Sequence, residues 1–226
     1  CKADDGCSLY IRPFIFASSE WIKASSSDEF TFMIITSPTI NYYPGSIDLV
    51  IEQHFSRATN GGVGYAKAAG NYAGSFYPTK KANARGFTQV IWTDSKEHKY
   101  IEESGTMNIW FRIDNKLITP SLSDSILGGI TRDSILKLAI DAGIDVEERI
   151  VSVAEILEAS KNGTLQEAFG TGTAVAVVAV KSITLEDIKM NIPTQEKPIS
   201  MRFKKQLQDL QYGRSEDVFK WTSKVH

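Results

Sequence analysis

The chain has 226 residues, 42% hydrophobic and 23% charged, with a formal net charge of −2. That balance suits a soluble globular protein with room for one large α/β domain and a piece of another. Its scattered lysines and arginines exclude the basic patch that nucleic acid needs, and no apolar run approaches the roughly 18 residues of a transmembrane helix. The only cysteines, Cys1 and Cys7, fall at the very start, so a disulfide framework is not expected and a reducing, cytoplasmic setting is. The chain opens on Cys1 rather than methionine and enters strand-like sequence almost at once. It therefore reads as a fragment whose upstream targeting signal, if one exists, is out of view.

In chain order, residues 8–16 and 30–36 are rich in β-branched and aromatic side chains and predict two strands of one sheet, joined by a polar connection. Turn chemistry runs from Ser37-Pro38 to Tyr43-Pro44-Gly45-Ser46 and predicts an interdomain linker over 40–46, with residues 1–39 in one domain and 47–226 in another. Asn71 is placed to cap a helix running to about Arg85, with Gly86 just past its end. A short strand over 90–93 and a polar turn over 94–98 follow. Asp114-Asn115 predicts a tight hairpin turn between strands 108–113 and 116–119. Helical periodicity covers 131–142 and stops at Gly143. Ser152-Val153-Ala154-Glu155 is a capping box opening a helix that ends near Asn162-Gly163. A buried strand over 175–180 and an amphipathic helix over 201–212 complete the series, and the alternation favours an α/β architecture.

Three stretches carry candidate chemistry. In Gly61-Gly62-Val63-Gly64-Tyr65-Ala66-Lys67-Ala68-Ala69-Gly70-Asn71-Tyr72 one lysine sits inside glycine-rich backbone just before a helix. A Walker loop would need Gly-Lys-Ser/Thr, and Lys67 instead lies between two alanines. A dinucleotide fingerprint would need a glycine where Lys67 stands. A Schiff-base lysine, which needs an amine in a confined site, remains, beside the plain alternative of an exposed lysine in a glycine-rich loop. Second, Glu102 and Glu103 lead into Ser104-Gly105-Thr106-Met107-Asn108; in extended chain they point to opposite sides, so only one faces a site. Such a carboxylate suits the pyridine nitrogen of pyridoxal phosphate. Third, Gly128-Gly129-Ile130-Thr131 at a helix start and the small-residue turn Gly170-Thr171-Gly172-Thr173-Ala174 both offer backbone N–H groups to an anion. His54, His98 and His226 stand singly, so no metal site is expected.

Five ordered runs resemble the branched-chain amino-acid aminotransferases of the fold-type IV pyridoxal phosphate group. They are Ser8-Leu9-Tyr10-Ile11-Arg12-Pro13, residues 61–72, Glu103-Ser104-Gly105-Thr106-Met107-Asn108, Gly129-Ile130-Thr131-Arg132 and Phe169-Gly170-Thr171-Gly172-Thr173-Ala174. The resemblance spans about residues 8–213 and the later two-thirds of that family. It implies a two-domain fold whose large domain is a pseudo-barrel of strands with surrounding helices, the small domain being largely missing from this chain.

The resemblance also implies roles. Lys67 matches the lysine that binds pyridoxal 5'-phosphate as a Schiff base and moves a proton at the substrate Cα. Tyr72 matches the phenol at the ring oxygen, Glu103 the carboxylate at the ring nitrogen, and Thr106 a residue near the ring face. Ile130, Thr131 and Thr173 match the phosphate cradle. Tyr10, Thr173 and Ala174 match positions holding the substrate α-carboxylate, Arg12 the arginine that takes the distal carboxylate of glutamate, and Tyr42 the wall of the apolar pocket. The implied reaction is ping-pong transamination between leucine, isoleucine or valine and 2-oxoglutarate, giving L-glutamate, in a homodimer. A D-amino-acid aminotransferase, an aminodeoxychorismate lyase or a non-catalytic phosphate-binding module are the alternatives. Ile40-Asn41 stand where the family usually has Gly-Ala, and the cysteine pair some members carry after Thr173-Ala174 is absent, so no thiol switch is expected.

Overall fold

Two long runs of β-branched and aromatic residues pair with each other: β1 (Ser8–Ala17) lies antiparallel to β2 (Phe30–Thr39), Ser8 opposite Thr39 and Ala17 opposite Phe30. The computed structural model describes residues 7–39 and 45–223, and the chain divides into two units, Cys1–Pro44 and Gly45–His226. β2 continues through Ser37-Pro38, where turn chemistry had predicted that the chain leaves the sheet. Pro38 sits opposite Leu9 in a two-stranded sheet, where both strands are edges and a missing N–H donor is tolerated. One face of the hairpin carries Ile15 against Phe32 and Pro13 against Ile34; the other carries Tyr10 against Ser37 and Arg12 against Ile35.

The unit Gly45–His226 is built on a ten-stranded mixed sheet. Its elements are β3 (Ile47–Ile51), α1 (Ala69–Ala84), β4 (Gln89–Thr93), β5 (Tyr100–Ser104), β6 (Asn108–Ile113), β7 (Lys116–Pro120), α2 (Ile130–Asp141), β8 (Val146–Arg149), β9 (Val151–Ser152), α3 (Val153–Lys161), β10 (Leu165–Gly172), β11 (Ala176–Leu185), β12 (Ile188–Asn191) and α4 (Ile199–Gln211). The strand order is β8-β7-β6-β10-β11-β3-β4-β5-β9, with β12 on β11. β5 and β6 stand far apart in that order, yet a two-residue turn joins them: Ser104 and Met107 exchange N–H···O bonds of 2.9 Å across Gly105-Thr106. The sheet must therefore curl until its two halves meet, which produces the barrel-like form. Gly105 has φ 55°, as the first central residue of such a turn requires.

The local expectations for Asp114-Asn115 and Ser152 hold. Both turn residues adopt positive φ, 49° and 65°, and the Ser152 hydroxyl accepts the Glu155 N–H at 3.0 Å, while the Glu155 carboxylate pairs with Arg149 instead of closing the capping box. The run 170–174 differs: Gly170-Thr171-Gly172 belong to β10, the turn begins at Thr173, and β11 starts at Ala176 rather than Val175. Gly170 serves packing rather than turning. A Cβ on Gly170 would meet the Met107 sulfur at 3.0 Å.

Apolar strands bury a core in which Trp110 and Phe169 stack at 5.9 Å, with Leu117, Ile135, Phe203 and Leu207 around them. A second cluster joins Val50, Val90 and Trp92 to Ala82 of α1. α4 begins at Pro198, which has no capping side chain. Its first N–H groups are taken instead by Glu167 of β10, which accepts from Ile199 at 2.9 Å and from the Ser200 N–H and hydroxyl at 3.2 and 3.0 Å. Among the described residues no helix is long and apolar enough to cross a membrane, and no group of three His, Cys, Asp or Glu could hold a metal ion.

Candidate active site

Glu103 lies within β5, opposite Trp92 of β4, and is 3% exposed. A carboxylate this deep must find donors. One oxygen accepts the Leu127 N–H at 2.6 Å and the other faces Arg57 Nε at 3.1 Å. That second contact is an ion pair without hydrogen-bond alignment, because the Nε–H itself has no acceptor in line. Burial pushes the carboxyl up from 4.5 to about 7, while Arg57, the Leu127 N–H and the charge of Lys67 pull it back. The result is a buried acid near its ionisation point at neutral pH, suited to a cationic partner. Glu102 points the other way, as extended backbone requires, and accepts the Ser125 hydroxyl.

The lysine loop is tied to the same place. Arg57 donates from Nη2 to the Gly64 carbonyl at 3.2 Å and to the Ser125 carbonyl. The Tyr65 N–H reaches the Asp124 carbonyl at 2.9 Å and the Gly61 N–H reaches the Asp124 carboxylate at 3.1 Å. Gly64 is needed here: a Cβ would lie 2.6 Å from Ser125 Cα and 2.8 Å from Asp124 O. Lys67 Nζ donates to the Tyr72 hydroxyl at 3.0 Å.

Two expectations about this loop need correction. Asn71 does not cap α1, whose N-cap is Ala68 with no side-chain bond. Asn71 is the third residue of the helix, and its amide donates to the Val63 and Ala66 carbonyls at 2.8 and 2.9 Å, clasping the loop instead. Nor is Lys67 confined by burial, since among the described residues its side chain is exposed.

Asn108 of β6 donates to the Leu127 carbonyl at 2.8 Å, so Glu103 and Asn108 grip both ends of one residue just ahead of α2. A Cβ on Gly129 would lie 2.2 Å from Asn108 Oδ1, which leaves glycine as the N-cap and α2 without a side-chain cap. The N–H groups of Ile130 and Thr131 therefore stand at an uncapped, positive helix end. Beside them, a Cβ on Gly172 would lie 3.7 Å from Met107 Cγ and 3.9 Å from Thr106 O. The turns bearing Thr106 and Thr173-Ala174, whose residues are exposed, are thus neighbours.

Lys67, Tyr72 and Glu103 thus share one electrostatic neighbourhood, with the α2 start tied to it through Leu127 and the Thr106 turn through β5. Tyr10 and Arg12 belong to the other unit, where Arg12 Nη2 donates to the Tyr10 hydroxyl at 3.2 Å and its guanidinium lies 5.0 Å from the Tyr10 ring centroid. Tyr42 lies outside the described residues. Sequence reasoning missed Arg57. The signal was indirect: a glutamate in an apolar strand demands a cation, and Arg57 is the arginine nearest the glycine loop.

A pyridoxal phosphate group fits this donor set. Glu103 is a buried acid suited to a ring nitrogen, the Lys67–Tyr72 pair supplies an amine and a phenol, and the bare start of α2 suits a phosphate.

The Amino-transferase class IV family profile matches residues 2–183. A probable branched-chain-amino-acid aminotransferase of Staphylococcus epidermidis is 43% identical over 98% of this chain and 63% of its own length. Branched-chain-amino-acid aminotransferase 2 of Bacillus subtilis is 41% identical over 98% and 62%. The chain thus spans just under two-thirds of these relatives. The branched-chain aminotransferase of Thermoproteus uzoniensis, solved with norvaline, superposes with a TM-score of 0.82 at 25% identity, covering 95% of this chain and 68% of that one. The Escherichia coli enzyme gives 0.77 at 28%, covering 96% and 70%. With its barrel-like sheet and a family match covering most of its length, the chain belongs to the class IV aminotransferases.

Proposed function

We propose that this chain is the cofactor-bearing part of a cytoplasmic, homodimeric branched-chain aminotransferase that uses pyridoxal phosphate to move the amino group between leucine, isoleucine or valine and 2-oxoglutarate. The observation that carries it is Glu103: a buried carboxylate, ion-paired to Arg57 and facing the charge of Lys67. The names of the relatives, at 43% and 41% identity, support the substrate class.

Pyridoxal phosphate, when bound, supplies a carbonyl carbon to take up the amino group and a ring that withdraws electrons from the substrate Cα. The chain's own residues do the rest. Lys67 Nζ holds the group and then carries the proton to and from Cα. The Tyr72 hydroxyl, already bonded to Lys67 Nζ, holds the ring oxygen. Glu103 retains the proton at the ring nitrogen, and Arg57 draws Glu103 toward its ionised form for that task. The N–H groups of Ile130 and Thr131, with the Thr173 hydroxyl, bind the phosphate, and the Thr106 turn lies at the ring face. Tyr10, Thr173 and Ala174 take the substrate α-carboxylate. Arg12 takes the distal carboxylate of glutamate, its planar fork suiting two parallel bonds, and Tyr42 lines the apolar side. Because the first substrate gives up its amino group and departs as its 2-oxo acid before the second substrate enters, the kinetics are ping-pong.

The test uses the full-length protein loaded with pyridoxal phosphate. Adding L-leucine alone should convert the cofactor's absorbance to that of the aminated form and release one equivalent of branched 2-oxo acid. Sedimentation should report a dimer. Conversion by D-alanine but not by L-leucine would replace this reading with the D-amino-acid relative.

A further inference from the structure

We propose that Glu102 is a positioning residue that works through Ser125: the Ser125 hydroxyl occupies Glu102 and thereby leaves the Arg57 guanidinium on Glu103. Glu102 accepts the Ser125 hydroxyl, the Ser125 carbonyl accepts Arg57 Nη2, and Arg57 Nε faces Glu103 at 3.1 Å. Ser125 is 2% exposed, with the Ser123 hydroxyl 3.0 Å from its own. Ser125 thus links the guanidinium that pairs with Glu103 to the carboxylate on the other side of the strand.

The surrounding charges are few. Glu103 feels Arg57, Glu102 and Lys67; Glu102 feels Arg57, Asp94 and His98. The second oxygen of Glu102 is buried with no hydrogen-bond partner. If the Ser125 hydroxyl were lost, both Glu102 oxygens would lack a donor, and Arg57 is the nearby cation able to supply one. An arginine drawn to Glu102 is an arginine withdrawn from Glu103.

The consequence is a pair of opposite shifts. Glu102→Gln keeps an acceptor for Ser125 but removes a negative neighbour, so Glu103 should ionise at lower pH. Ser125→Ala should make it ionise at higher pH, and the double variant should follow Glu102→Gln, because no charge remains to draw Arg57 away. Each shift is expected to be below about one unit, since the two carboxylates lie on opposite faces of the strand and a carboxyl moves by about 1 to 3 only for a charge within ~4–6 Å.

The measurement is a carbon-13 titration of the Glu103 carboxyl in the full-length, cofactor-free protein, with the resonance assigned by its loss in Glu103→Gln. Shifts of opposite sign support the relay. Unmoved midpoints, or shifts of the same sign, overturn it, because loss of the Glu102 charge by itself predicts only a downward shift and a merely structural Ser125 predicts none. Should Ser125→Ala fail to fold, Ser125→Cys, whose thiol is a weak donor, takes its place: a raised midpoint supports the proposal and an unchanged or lowered one overturns it. A second readout is pyridoxal phosphate affinity near pH 7, expected to tighten in Glu102→Gln and weaken in Ser125→Ala. That arm rests on the function proposed above, so its failure with the titration intact counts against the cofactor and leaves the relay standing.

Discussion

The hairpin β1–β2 and the unit that follows it hold their side chains by different means. In the hairpin large apolar residues stand open, Ile15 at 63% and Phe32 at 61% exposed, and Arg12 is fixed by one hydrogen bond to Tyr10. In the larger unit Glu103 is held from three sides by Leu127, Arg57 and the strand ladder. Glu103 is thus locked into a core, while Tyr10 and Arg12, proposed for the substrate's carboxylates, ride on an element with little core of its own. Damage on the cofactor side should abolish chemistry, and damage on the hairpin should change which substrate is used.

The sharpest break is Lys67→Ala, which should abolish both turnover and borohydride labelling of the full-length protein; retained labelling would move the reactive amine to another lysine. Next, Glu103→Gln should lower kcat by two or more orders of magnitude, at about 1.4 kcal/mol of lost transition-state stabilisation per tenfold. Its pH signature follows from a carboxyl raised from 4.5 to about 7. Between those values the folded protein keeps a proton that the unfolded chain has released. The stability this confers on the cofactor-free protein is therefore full below about pH 4.5 and lost as pH rises through about 7. Thermal melts of Glu103→Gln across that window should lack the slope.

On the hairpin side, Arg12→Met should raise KM for glutamate and 2-oxoglutarate roughly 10- to 100-fold, as charged hydrogen bonds contribute about 1.5–3 kcal/mol. The single-turnover half-reaction with leucine should change far less. Equal loss with both substrates would mean that Arg12 supports the hairpin rather than choosing the substrate. The smallest effect is Ser152→Ala, which removes the cap of α3 and should cost about 1 kcal/mol in denaturant unfolding.

What the sequence made legible was local chemistry. Asp114-Asn115 announced a tight turn because few residues accept positive φ at two successive positions, and Ser152 with Glu155 announced a helix start. Asn71 misled because its amide also satisfies carbonyls behind it, a use that depends on how the lysine loop folds back. Gly170 and Gly172 were taken for turn residues, when both lie within β10 and Gly170 lets Met107 approach from the turn before β6. Arg57 and Ser125 left no local mark, since what defines them is a carboxylate more than twenty residues distant in the chain. The resemblance supplied the register that chose Glu103 over Glu102. Composition and periodicity alone left that choice open.

The Glu167 carboxylate that receives the first N–H groups of α4 has a consequence for the order of folding. A helix capped from within its own sequence can nucleate while the chain around it is still unfolded, whereas α4 has its terminus satisfied only after β10 has taken its place beside β6. α4 is thus contingent on the sheet. During synthesis it emerges after every strand of that sheet, so its cap is waiting when it arrives. Amide exchange across residues 199–203 should accordingly rise in Glu167→Gln before the strands loosen.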